Sequence, residues 1–163
     1  MNPEALSIIE VGTRHQVTVC CAESLTGGDV ASALVSIPGA SAVFRGGVVA
    51  YHAELKAGLL GVDAGELSTG GAVSAEVATA MAEGALRLLG SDYAIATTGV
   101  AGPDSEPVSG LEPGVVVIAV AGSGLGTWVR ELSFSGSREE IRGLATRAAL
   151  QGLRDALLHD HPV

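Results

Sequence analysis

One lysine, Lys56, stands among eight arginines in a chain of 163 residues. Arginine keeps its proton at any pH a folded protein survives, whereas a partly desolvated lysine lowers its pKa readily and then serves as a general base. A position that keeps the cation able to give up its proton is therefore a candidate for proton transfer. The competing reading is compositional: Lys56 as a solvated helix residue in an Arg-rich chain. Within the same stretch, residues 41–56, stand Ser41 and Tyr51. A serine hydroxyl is a poor nucleophile until a base removes its proton, a lysine of lowered pKa can be that base, and a tyrosine can relay the proton. Such a Ser/Lys pair replaces the histidine of a Ser-His-Asp arrangement, for which His15, His52, His159 and His161 are poorly spaced. Ser41 could equally cap a helix, so spacing leaves both readings open.

Two further segments carry residue types suited to a ligand. In residues 22–28, Ala-Glu-Ser-Leu-Thr-Gly-Gly, an apolar run gives way to two glycines and a helical pattern, whose free N–H groups would cradle an anion at Gly27 and Gly28. The spacing is not that of a P-loop or dinucleotide fingerprint, and close packing of helix on strand explains two glycines as well. Glu23 could hold a ligand hydroxyl or cap a backbone N–H. Ser24, at a strand end, is the second candidate nucleophile. Residues 97–104, Thr-Thr-Gly-Val-Ala-Gly-Pro-Asp, offer hydroxyls and backbone donors after a buried strand, as an oxyanion or ligand loop would; a plain turn is the alternative. No His or Cys pair has metal-ligand spacing, and no cofactor fingerprint is present, so neither metal nor cofactor is expected.

The elements that must position these groups alternate between two periods. Helical spacing marks residues from Pro3 to about Thr13, a helix after Gly28 that stops at Pro38-Gly39, a short one over 53–60, one capped by Ser74 running to Leu89, and one over 138–158. Strand patterns mark 17–22, 46–51, 92–97, 115–121 and 127–134. Strands separated by helices predict a three-layer α/β/α sandwich, and the short 122–126 turn predicts an antiparallel hairpin of the last two strands. The sheet is therefore expected to be mixed, mostly parallel and five-stranded. In open α/β sheets ligands collect at carboxyl ends of strands.

Composition narrows the partners. With 47% apolar and 17% charged residues the chain reads as one globular domain, 1–163. A net charge of −9 argues against nucleic acid or an anionic membrane and for a small molecule. Cys20 and Cys21 are adjacent in an apolar run and read as reduced core residues. The amino terminus has no basic n-region and the longest apolar stretch, 115–121, is too short to span a bilayer, so a cytoplasmic protein is expected. So many aliphatic side chains with one Trp, two Tyr and two Phe point to a homo-oligomer that buries aliphatic surface between subunits.

The segments AESLTGG (22–28), PGAS with GGVVAY and Lys56 (38–56), GAVS (71–74), TTGVAGPD (97–104) and FSGSREEIR (134–142), in this order, resemble the CinA carboxy-terminal domain family, which includes stand-alone nicotinamide-nucleotide amidohydrolases (PncC). The resemblance spans about residues 6–158. It implies a three-layer domain that hydrolyses the carboxamide of nicotinamide mononucleotide to nicotinic acid mononucleotide and ammonia, without a metal, in pyridine-nucleotide salvage. By position, Ser41 matches the family's nucleophile and Tyr51 and Lys56 the groups that activate it. Ser24, Thr26, Gly27 and Gly28 match a first ligand loop, Thr98 and Gly99 a second, and Arg138 an arginine facing the phosphate. The chain departs from the pattern at Leu25 (usually Cys), Ala40 (Ser), His52-Ala53 (Ser-Asn) and Glu112 before Pro113 (commonly Lys). The rival readings are a nucleotide-binding module without turnover and a serine amidase for another small carboxamide. Longer relatives carry an additional amino-terminal domain for which 163 residues leave no room.

Overall fold

The computed structural model describes residues 2–122 and 126–162. Its elements are α1 (Pro3–His15), β1 (Val19–Glu23), α2 (Asp29–Val35), a 3-10 turn (Ala40–Ala42), β2 (Phe44–Val49), α3 (Ala53–Leu60), α4 (Ala64–Gly70), α5 (Ala75–Leu89), β3 (Tyr93–Gly99), β4 (Val115–Gly122), β5 (Gly126–Ser133) and α6 (Arg138–Asp160). Each element expected from periodicity is present. The 3-10 turn and α4 were not anticipated. α4 has seven residues, including two glycines, so propensity is weak; it forms because the Asp63 carboxylate accepts from Glu66 N at 2.8 Å and caps its first turn.

The strand order is β2-β1-β3-β4-β5. β1 pairs in parallel with β2 and β3, and β4 is antiparallel to β3 and β5, so four strands share one direction and only β4 opposes them. β4 and β5 form the expected antiparallel pair; the middle of their connection, residues 123–125, lies outside the described residues.

Every residue of β1 is buried, because helices cover both sheet faces. Side-chain alternation divides the core in two. Val19, Cys21, Tyr93, Ile95, Val116, Ile118 and Val120 join the helices α1, α2 and α6. Cys20, Ala22, Ala94, Ala96, Ala119 and Ala121 join α5 and the end of α3. The small residues on this second face let α5 lie close to the sheet. Burial pushes the Cys20 thiol up to about 11 and the Cys21 thiol higher still, so both stay protonated packing groups. No helix among the described residues is long and apolar enough to cross a membrane.

This topology decides where chemistry can lie. The carboxyl ends of β1, β2, β3 and β5 and the start of β4 open at one edge of the sheet, which therefore carries the turn after Glu23, the segment into α3, the 100–114 loop and the start of α6. A capping box fixes that last element: Ser137 Oγ accepts from Glu140 N at 3.3 Å and the Glu140 carboxylate accepts from Ser137 N at 2.7 Å, which sets Arg138 at the sheet edge.

Candidate active site

Lys56, on α3, is 1% exposed, which no solvated surface lysine would be. Its Nζ donates to Ala50 O at 2.7 Å, Tyr51 O at 3.2 Å and Ser24 Oγ at 2.9 Å. None of the three partners is charged, and burial pushes the amine down from 10.5 to about 8. α3 can sit this close to the core because Gly84 on α5 has no side chain; a Cβ there would collide with the backbone of Leu60.

Ser24 ends β1 in a tight turn. Its N–H donates to Thr97 O at 3.0 Å, Gly27 N donates back to Ser24 O at 3.0 Å, and the Thr26 and Thr97 hydroxyls are 2.8 Å apart. Glu23 resolves to a cap: its wholly buried carboxylate accepts from Gly28 N at 2.9 Å, Val30 N at 3.1 Å and Ala31 N at 2.8 Å. The turn is thereby tied to β3 on one side and to α2 on the other, with the Ser24 hydroxyl left toward Lys56.

Ser41 does not meet Lys56. It is an exposed residue of the 3-10 turn that precedes β2, whereas Tyr51 and Lys56 follow that strand's carboxyl end. Six strand residues at about 3.3 Å each separate them by roughly 20 Å. The assignment of Ser41 as the nucleophile is therefore corrected, and the hydroxyl on the lysine is Ser24. The expected anion cradle at Gly27 and Gly28 is corrected as well: Gly28 N is spent on Glu23 and Gly27 N on Ser24 O, so the chain's own carboxylate already occupies the start of α2.

Thr26 and Thr98 are buried, the first bonded to Thr97 and the second donating to Ala72 O at 2.6 Å, so their hydroxyls brace the site from within. Gly99 lies against β4, where a Cβ would stand 2.8 Å from Val115 O, and so sets how closely the second loop approaches. At the rim Arg138 Nη2 donates to Tyr51 Oη at 2.9 Å and Nη1 to Gly102 O at 2.6 Å, joining three loops across the mouth. Tyr51 is 58% exposed, which leaves its phenol available to a ligand.

The acceptors Ala50 O and Tyr51 O have no sequence signature, since any residue supplies a carbonyl. Arg142, one helical turn after Arg138 and from its sequence a further candidate for the phosphate, instead bonds the carbonyls of Leu25 and Thr26 at 2.9 Å each, partners that the sequence does not mark. Among the described residues no group of three or more His, Cys, Asp or Glu side chains could hold a metal ion.

Residues 3–157 match the family model described as the CinA C-terminal domain. A CinA-like protein from Frankia casuarinae is 46% identical over 88% of the chain, and a putative competence-damage inducible protein from Bacillus cereus is 44% identical over 85%. The chain spans about a third of these relatives' length, 33% of each. Among solved structures, a competence-damaged protein (CinA) superfamily protein from Klebsiella pneumoniae superimposes with a TM-score of 0.91 at 31% identity, covering 97% of this chain and 98% of that one. The competence/damage inducible protein CihA from Agrobacterium tumefaciens gives 0.90 at 38% identity, covering 96% and 94%.

Proposed function

The chain belongs to the CinA C-terminal domain family, and from its site we propose that it is a serine amidohydrolase that converts nicotinamide mononucleotide to nicotinic acid mononucleotide and ammonia. The observation that carries this reading is the environment of Lys56 Nζ. A neutral amine has two N–H groups and one lone pair. As the ammonium, Lys56 Nζ donates to all three partners; once neutral, its two N–H groups satisfy the two backbone carbonyls and its lone pair is free to accept from the Ser24 hydroxyl, whose Oγ lies 2.9 Å away. Burial favours that neutral form, because charging the amine would place an ammonium among uncharged partners.

Ser24 Oγ attacks the carboxamide carbon as its proton passes to Lys56, forming the C–O bond of a tetrahedral adduct. The Lys56 ammonium then protonates the amide nitrogen, the C–N bond breaks, and ammonia leaves an acyl-Ser24 ester. Water adds to that ester with Lys56 again as base, the bond between the acyl carbon and Ser24 Oγ breaks as Lys56 returns the proton to that oxygen, and the carboxylic acid leaves. Arg138 and the Tyr51 phenol, both exposed and 2.9 Å apart, are the groups this reading assigns to the phosphate.

The test is ammonia release from a panel of carboxamides: the mononucleotide, its dephosphorylated riboside, free nicotinamide and unrelated small amides. Turnover of the mononucleotide above all others is the expected result. Preference for an unrelated carboxamide would keep the chemistry and replace the substrate, and binding without ammonia would make the domain a nucleotide-binding module.

A further inference from the structure

The turn that carries Ser24 is gripped from the opposite side of the sheet by one guanidinium. Arg142, on α6, donates from Nε to Leu25 O at 2.9 Å and from Nη2 to Thr26 O and Asp29 Oδ2, both at 2.9 Å. Two carbonyls of successive residues converge on one planar fork, a geometry that suits arginine and not the compact ammonium of lysine. Gly27 completes the fit. Its φ of +62° favours glycine, and a Cβ there would stand 3.3 Å from Arg142 Nη2. The same turn carries the hydroxyl partner of Lys56, with Ser24 Oγ 2.9 Å from Nζ, and is itself dry: Ser24 is 7% exposed, Leu25 3% and Thr26 0%.

We infer that Arg142 is a positioning residue for the proposed hydrolysis: from α6 it fixes the turn of residues 24–27, and through that turn it holds the Ser24 hydroxyl on Lys56 and keeps water away from the amine. Its Nε and Nη2 bond the turn from a half-buried position, whereas Arg138 stands exposed at the rim. The charged groups of the surrounding elements do not offer another cause for the state of Lys56. Glu23 is spent on α2, and Arg138 on Tyr51 and Gly102. His52 and Glu54 are exposed, and Asp63 caps α4. On α5, Glu76 is exposed, Glu83 accepts from Thr127, and Arg87 lies beside Gly61 beyond the end of α3. What remains is the dryness of the turn. Released from Arg142, the turn admits water, and the amine returns toward its ordinary value.

The inference rests on the Ser24/Lys56 reading for its catalytic part only, because the state of the amine can be read without turnover. Lys56 is the only lysine, so protein grown with ¹³C-lysine gives one side-chain Cε resonance to titrate. It should titrate near 8 in the native chain. In Arg142→Gln the midpoint should rise by about one unit or more, and kcat should fall about tenfold or more with KM little changed. Asp29→Asn, which spares both carbonyl bonds, should leave midpoint and kcat as they are. If Arg142→Gln fails to fold, Gly27→Ala presses on the same guanidinium from the turn side and should raise the midpoint likewise. An unchanged midpoint in the folded variant, or a rise in KM alone, would overturn the inference. A raised midpoint in a chain that hydrolyses no carboxamide would uphold the positioning and remove the proposed function instead.

Discussion

At the residue scale the account turns on which hydroxyl faces the buried amine. Lys56→Arg keeps the charge but cannot become a base, so it should lower kcat by about 10²–10⁴. Ser24→Ala should lose activity at least as severely, while Ser41→Ala, at the far end of β2, should retain it; steady-state ammonia assays on the purified variants check all three. Lys56 was legible because rarity singled out the one cation that can lose its proton. Ser41 was misread because a positional match to the family, joined to nearness in sequence, stood in for nearness in space. The strand pattern over 46–51 already placed Ser41 before a strand and Lys56 after it, and the strand-end rule applied to both would have selected Ser24. Nothing in the sequence marked the bonds from Lys56 to Ala50 O and Tyr51 O, since they depend on how the chain enters α3.

At the scale of elements, the position of α3 governs the site, and Gly84 governs α3. A methyl group at 84 meets the backbone of Leu60, which cannot rotate away as a side chain would, so Gly84→Ala should push α3 outward. The expected cost is about 1–3 kcal/mol, read from urea unfolding, together with a loss of kcat as Lys56 withdraws from Ser24. The long helices and the central strands β1, β3 and β4 were readable because each buries a continuous apolar face or run, and the edge strands β2 and β5 because half-buried and exposed positions largely alternate along them. α4 was not, because seven residues held by one Asp63 cap leave no periodic trace. The role of Glu23 was open in the sequence for a related reason: a carboxylate before two glycines suits a ligand and a helix start equally, and only the direction of α2 decides.

At the scale of the whole molecule, the buried amine couples stability to pH. The unfolded chain holds the Lys56 proton up to about its ordinary 10.5 and the folded chain only to about 8. Between those values the unfolded state binds more protons, so stability rises with pH; below pH 8 the full penalty, about 3 kcal/mol, is present. Lys56→Met removes that dependence, and the difference in unfolding free energy between variant and native chain should shift by about that amount from pH 7 to pH 11. A second expectation concerns assembly. Of the eight large apolar side chains exposed among the described residues, Val49, Leu55, Leu59 and Leu88 lie on edge strand β2, on α3 and at the end of α5, on which α3 packs. Arg45 and Arg87 flank them, so on a chain of net charge −9 this is a face where two copies can meet with little repulsion. Light scattering at micromolar concentration should give about 32 kDa, twice the 16.2 kDa chain, and Leu59→Glu should return the monomer.

The most direct test of the central claim is to trap the covalent intermediate. Native protein mixed with a stoichiometric amount of nicotinamide mononucleotide, quenched in acid within the first turnover and digested, should carry the acyl group on the peptide that contains Ser24, with ammonia released in equal amount and no label after Ser24→Ala. Label on the Ser41 peptide, or ammonia released with no serine modified, would contradict the account.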